Sequence, residues 1–234
     1  MRDTGERSEV SAPLQNIKHR RGNYMILFFD TETTGIRDWK NPSFLPRVVQ
    51  IGALLTDNDG KTLAELNVLL KPEGFDTVPE AAANVHGFSY ELIKEAGIDR
   101  ETGLSAFFEL VDNADILVAH NAEYDLDLMQ IEIDYQADKG NGVTALWSEA
   151  MAKAQIFCTM LNSRDIMKLP LSEAQAKFFK DKGISQEYKN PRLQEAHIHF
   201  MGYDFEGAHD AMADVRACKD VYFKLHSLKE EVAA

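Results

Sequence analysis

Apolar and polar positions fall into three patterns along the chain, and each predicts a kind of element. Ile26-Leu27-Phe28-Phe29 is a short run of strand formers that ends at Asp30-Thr31-Glu32, with the turn signal Thr33-Thr34-Gly35 directly after it. Val48 to Thr56 and Thr62 to Leu70 read as two more strands joined through Asp57-Asn58-Asp59-Gly60, giving an opening antiparallel meander. Ile116 to Ala119, wholly apolar between Asp115 and His120, predicts a central strand covered on both faces, and Gln155 to Cys158 reads as a further one. Helical spacing marks Pro79 to Val85, Ser89 to Glu95 and Glu101 to Val111. It also marks the segment opening at His120, where Leu126, Met129 and Ile133 share a face. Residues 144–153 read as helical, and so do 171–201 with breaks at Lys182-Gly183 and Asn190-Pro191. The clearest stripe is the last: Ala211, Val215, Cys218, Tyr222, Leu225 and Leu228.

Composition narrows the class. With 234 residues, 44% hydrophobic and 27% charged, the chain is long enough for one sizeable core. We expect a flexible arm over 1–23, containing the basic run Lys18-His19-Arg20-Arg21, and one folded domain over 24–230. No apolar run reaches membrane-spanning length and no secretory signal opens the chain. Two distant cysteines, Cys158 and Cys218, fit a reducing, cytoplasmic setting. A net charge of -13 argues against gripping long nucleic acid by phosphate neutralisation alone, though not against a carboxylate-lined nuclease site.

The chemistry starts at the first strand. Side chains alternate along a strand, so Asp30 and Glu32 point one way and Thr31 the other. Two adjacent carboxylates at the end of a buried strand repel one another and call for a positive charge between them. Solvated acids at a strand end are the plain alternative, and three later positions weigh against it. Asp125 falls in the first turns of the helix that follows the apolar strand, where open α/β sheets place their sites. His209 precedes the last helix, and Asp214 lies beside that helix's stripe. Four carboxylates and one imidazole suit Mg²⁺ or Mn²⁺ better than zinc. Four acids exceed what one Mg²⁺ usually takes, which suggests two ions roughly 3.5–4 Å apart clamping a phosphodiester displacement. An imidazole with an ordinary pKa of about 6.5 is largely neutral near pH 8, which suits His209 as general base.

The segments 29–35 (Phe-Asp-Thr-Glu-Thr-Thr-Gly), 118–125 (Val-Ala-His-Asn-Ala-Glu-Tyr-Asp) and 207–215 (Gly-Ala-His-Asp-Ala-Met-Ala-Asp-Val) resemble the three motifs of the DnaQ-like exonucleases. These are 3′-5′ exonucleases of the DEDD superfamily, in its histidine-bearing subgroup. The resemblance spans residues 24 to about 228 and implies an α/β, ribonuclease H-like fold: a mixed five-stranded sheet with three antiparallel strands, flanked by helices. It implies that Asp30 bridges two metals, that Glu32 and Asp214 complete the site of the water-activating ion, that Asp125 holds the second ion, and that His209 is the base. It further implies that Thr33, Thr34 and Gly35 meet the terminal nucleotide. Val85-His86-Gly87-Phe88 resembles a family segment bordering the terminal base, with a turn-packing histidine as the alternative for His86. Tyr124 either flanks the nucleotide or belongs to the core.

The expected activity is metal-dependent release of nucleoside 5′-monophosphates from 3′ ends of single-stranded nucleic acid, DNA favoured over RNA, although no residue decides the sugar. The alternatives are an RNA-trimming exoribonuclease and a non-catalytic binding module on the same fold; a structural Ca²⁺ domain lacks the acidic loop it needs. A polymerase or repair partner is left open, since no long attachment tail follows the last helix, and oligomeric state is open too. Residues 134–147, Gly-rich at 139–142, read as a surface excursion. Lys177-Phe178-Phe179-Lys180-Asp181-Lys182 and Tyr188-Lys189-Asn190-Pro191-Arg192 interleave bases with aromatics, either to touch the incoming single strand or as a solvated face with its phenyl groups in the core.

Overall fold

A computed structural model describes residues 23–37, 44–137 and 143–233. The expected N-terminal arm, apart from Asn23, lies outside the described residues. Five strands, β1 (Met25–Thr33), β2 (Val48–Asp57), β3 (Thr62–Leu69), β4 (Ile116–Ala119) and β5 (Gln155–Cys158), form one sheet in the order β3-β2-β1-β4-β5. β1, β2 and β3 pair antiparallel, whereas β4 runs parallel to both β1 and β5. The meander is the one that the apolar runs predict, and the mixed five-stranded sheet is the one that the family resemblance implies. The helices are α1 (Glu80–His86), α2 (Tyr90–Ala96), α3 (Arg100–Asn113), α4 (Ala122–Ala137), α5 (Val143–Lys153), α6 (Thr159–Met167), α7 (Glu173–Lys182), α8 (Leu193–Met201) and α9 (Ala211–Ala233).

Burial on both sides explains why β1 reads as a continuous apolar run. Leu27 and Phe29 pack with Phe107, Met129 and Ile133 of α3 and α4, while Ile26 and Phe28 pack with Val215, Tyr222 and Leu225 of α9. Parity then assigns Asp30 and Glu32 to the α9 face of the sheet and Thr31 to the α4 face.

The sequence reading misses α6. It begins one residue after β5 with no intervening loop, and its N-cap, Cys158, makes no side-chain capping bond, so no start signal is written there. The stretch 171–201 is also less helical than expected, because ten residues, 183–192, separate α7 from α8. The excursion over 134–147 is narrower than expected. Residues 134–137 end α4 and Trp147 is buried in α5 against Phe108, while 138–142 lie outside the described residues.

Candidate active site

The site forms where β1 leaves the core. Its parallel ladder with β4 ends at Phe28 and Val118; beyond that point β4 gives way to α4. The Asp125 carboxylate takes over the vacated edge: its Oδ1 accepts from the Thr31 backbone N–H at 3.1 Å and from the Thr31 hydroxyl at 2.9 Å. Thr31, to which sequence parity gave no role, is therefore what aims Asp125. The turn into α4 needs a left-handed residue, supplied by Asn121 at φ 74°. Beside it His120 donates from Nε2 to the Pro191 carbonyl at 3.0 Å, and its Nδ1 lies 2.9 Å from the Thr159 hydroxyl. Burial pushes the His120 ring down to about 4, partly opposed by its Pro191 bond, so it serves here as a neutral strut.

On the other face, α9 brings His209 and Asp214. Asp30 lies opposite Gly52 and Glu32 opposite Gln50 in the β1–β2 register. A Cβ on Gly52 would sit 2.7 Å from the Ala211 carbonyl carbon, so the glycine is what lets the start of α9 descend onto the sheet beside Asp30. Gln50 fastens it there. Its Oε1 accepts from the Ala211 N–H at 3.0 Å and its Nε2 donates to Asp210 Oδ2 at 3.1 Å and to Asn67 Oδ1 at 2.9 Å. Asp210 Oδ1 in turn caps the helix by accepting from the Met212 and Ala213 N–H groups, each at 3.1 Å. Gln50, Gly52 and Asp210 are absent from the candidate set drawn from sequence. Only Asp210 carries a local signal, an acid at the start of a strongly periodic helix; the other two act across 160 residues.

Ligand atoms of Glu32, His209 and Asp214 lie within 4.8 Å of one another, and the His209 N–H bonds Asp214 Oδ2 at 3.2 Å. Asp30 and Asp125 join them electrostatically. Burial, then Asp125, Asp214, Glu32 and Asp210, drive the Asp30 carboxyl well above its usual range. Burial and the charges of Asp214, Asp125 and Asp210 push Glu32 up to about 8. Asp125 is pushed up to about 7 by burial against the restraint of its Thr31 bonds, and Asp214 up to about 6 by burial, with His209 opposing. The donor set is thus four carboxylates and an imidazole whose main neighbours are one another. It fits a hard divalent cation, which would supply the charge these acids lack.

The nucleotide-side candidates form a stiff turn at the end of β1. The Thr33 hydroxyl donates to the Gly35 carbonyl at 2.7 Å and accepts from the Gly35 N–H at 3.2 Å, while the Tyr124 hydroxyl donates to the same carbonyl at 3.1 Å. Thr34 is turned inward, its hydroxyl accepting from the Arg47 N–H at 2.9 Å. His86 uses both ring nitrogens on backbone: Nε2 donates to the Thr33 carbonyl at 3.1 Å and Nδ1 accepts from the Phe88 N–H at 3.0 Å. Its ring stacks on Phe88, so its turn-packing role is met, with the ring against the end of β1.

A family model described as exonuclease, RNase T type, matches residues 27–222. The chain is 31% identical over 194 residues to the uncharacterized exonuclease CP81 of Escherichia phage 186, covering 81% of this chain and 82% of that relative. It is 25% identical over 142 residues to DNA polymerase III subunit epsilon of Buchnera aphidicola from Acyrthosiphon pisum, covering 61% of this chain and 53% of that one. Among solved structures it resembles E. coli exonuclease I in complex with a dT13 oligonucleotide, with a TM-score of 0.63, 19% identity and 90% of this chain covered. The present chain spans 42% of that enzyme. With the family model covering both faces of the acid cluster, the chain belongs to the RNase T/DnaQ-like exonuclease family.

Proposed function

We propose that the chain is a metal-dependent 3′-5′ exonuclease that releases nucleoside 5′-monophosphates from single-stranded nucleic acid, with DNA favoured. The observation that carries this reading is the shared carboxylate cluster: acids from β1, α4 and α9, each pushed up by burial and by at least one neighbouring acid, with an imidazole at the rim. Family membership and the dT13 oligonucleotide held by the exonuclease I neighbour support the polymer and the bond class.

Asp30, Glu32, Asp125 and Asp214 would hold two Mg²⁺ or Mn²⁺ ions. Divalent cations at such a site acidify a water and neutralise the charge that builds on the leaving oxygen. The remaining work belongs to the chain. His209, exposed at the rim on a left-handed backbone at φ 72°, would take a proton from the attacking water. Thr33 and Tyr124 hold the Gly35 turn rigid, giving the terminal nucleotide a fixed wall. His86 keeps that wall tied to the loop at Phe88.

End-labelled single-stranded DNA and RNA, digested with Mg²⁺, Mn²⁺, Ca²⁺ or EDTA, test the proposal. A ladder shortening from the 3′ end, dependent on Mg²⁺ or Mn²⁺, is expected. His209→Ala should lose this turnover while keeping cation affinity; lost affinity would make His209 a ligand instead of the base. Absence of nucleotide release from either polymer would return the chain to a binding module.

A further inference from the structure

α7 is an anomaly within this fold: a ten-residue helix with no buried side chain. Helices this short are marginal alone and usually owe their stability to a packed apolar face. α7 instead relies on its ends. Ser172 and Gln175 form a reciprocal capping box, and Gly183 at φ 67° closes the helix with the Ile184 N–H on the Phe179 carbonyl at 2.9 Å. The reading that would bury its phenyl groups in the core fails for Phe178, which is 53% exposed, and Ile184 just beyond the helix is 46% exposed. Phe178, in ring contact with Phe179, and Ile184 thus put an apolar edge beside exposed lysines.

The charge of this arm opposes that of the chain. Residues 164–192 carry seven basic and four acidic side chains in a protein of net charge -13. Lys177, Lys180 and Lys182 are exposed and make no ion pair among the described residues. Lys177 and Lys180 are three apart, and Phe178 and Lys182 four apart, so each pair shares a helix face.

The arm is rooted at the acid cluster's edge. Its two ends close through an antiparallel bridge between Pro170 and Tyr188 and through the Lys189 N–H on the Leu169 carbonyl at 3.0 Å. The Pro191 carbonyl then docks on His120, the last residue before the turn that delivers Asp125. An acid-lined site in an acidic protein repels the phosphates it must admit, so its polymer needs a cationic approach nearby.

We infer that α7 is a landing surface for the upstream part of the single-stranded substrate, its lysines meeting phosphates and Phe178 stacking on a base. The inference rests on the nuclease reading for the identity of the polymer. Stacking on an aromatic with flanking cations is the general chemistry of single-strand binding. The test compares a long oligonucleotide, of roughly 20 nucleotides, with a tetranucleotide, which offers the least strand beyond the scissile end. K177A/K180A/K182A should raise KM for the long substrate and lower the dependence of log KM on log salt by about 2, three contacts at about 0.7 each. Phe178→Ala should weaken the long substrate by about tenfold. Turnover of the tetranucleotide should not change with either variant.

Unchanged long-substrate KM and salt slope in both variants would overturn the inference while leaving the nuclease reading standing. Equal losses on both substrates would overturn it too, since they mean damage to the site. A wild-type dimer that becomes monomeric in Phe178→Ala, with nucleic-acid affinity intact, would assign the surface to a second copy of the chain. A wild-type chain that binds the long strand through α7 but cleaves nothing would sink the nuclease reading and keep this one.

Discussion

Helix α4 carries two buried acids seven residues apart, hence on one face, and they are held in opposite ways. Glu132 is wholly buried between two guanidiniums. Arg47 donates to it from Nε at 2.9 Å and Nη2 at 2.8 Å, the Val48 N–H adds a third bond at 2.9 Å, and Arg100 Nη1 pairs with it as a charge 3.0 Å away. Burial alone would raise its carboxyl; the bonds from Arg47 and the charges of Arg100 and Arg47 overcome that and hold it below the usual range. Asp125 is almost as buried, but its donors are the neutral groups of Thr31 and its own backbone N–H, with no cation beside it, and Asp214 adds a like charge, so it is pushed up to about 7. Burial therefore does not separate a structural acid from a functional one. The partner does: Glu132 is a strut with its counter-charge built in, and Asp125 belongs to a group whose counter-charge comes from outside.

The contrast breaks most sharply at Asp30. Asp30→Asn should cost at least roughly a thousandfold in nucleotide release at saturating Mg²⁺, on the order of 4 kcal/mol of transition-state stabilisation. Its metal-free melting temperature at pH 8 should rise, because the neutral amide is buried without first taking up a proton. A loss of turnover below tenfold would place the chemistry elsewhere.

Glu132→Ala should do the reverse. Two buried guanidiniums lose their anion, at a cost of about 3–5 kcal/mol. A fall in melting temperature of about 10 °C is the readout for a chain of this size. If Asp125→Asn lowers metal-free stability at pH 8 as much as Glu132→Ala does, the two acids are not of different kinds.

The pH dependence follows from the same opposition. Asp214, Asp125 and Glu32 are held up to about 6, 7 and 8, so between the ordinary carboxylate range near 4 and about pH 8 the folded chain keeps protons that the unfolded chain has released. Metal-free stability should fall as pH rises through that window. Glu132 has the opposite sign, its contribution being present above the unfolded value and lost as pH falls through the folded one. Urea midpoints in EDTA at pH 5 and pH 8 measure the first effect, and added Mg²⁺ at pH 8 should recover the loss. Stability that rises from pH 5 to pH 8 in EDTA would contradict it.

Two smaller substitutions sharpen the geometry. Gly52→Ala places a methyl against the Ala211 backbone, costing about 1–3 kcal/mol as α9 shifts. It should lower kcat more than it raises KM, since the displaced groups are His209 and Asp214. Thr31→Val removes the hydroxyl that aims Asp125, and the N–H bond survives, so cation affinity should fall by about tenfold with little change in melting temperature.

What could be read from the sequence was what short spacing encodes. The two-residue interval of Asp30 and Glu32, the apolar runs of the strands and the stripe of α9 each need only local physics, and together they led to the sheet and the family. Thr31, Gln50 and Gly52 were missed because their partners lie 94 to 161 residues away. Glu132 left one local trace, an acid in the stripe of Met129 and Ile133, where a charge requires a buried partner. Neither Arg47, at a loop end, nor Arg100, at a helix start, announces itself as that partner. Phe178 stayed open between core and surface because helical spacing alone does not say which face of a short helix is covered; the structure leaves the ring half-exposed beside Phe179.

On this reading the acid cluster is built for a cation it does not itself supply. Calorimetric titration of Mg²⁺ and Mn²⁺ into metal-free protein at pH 8, in two buffers of different ionisation enthalpy and without nucleic acid, tests it most directly. Saturable binding with proton release, seen as buffer-dependent heat, is expected, as is its loss in Asp30→Asn. Binding that is absent from the wild type, or undiminished in Asp30→Asn, would contradict it.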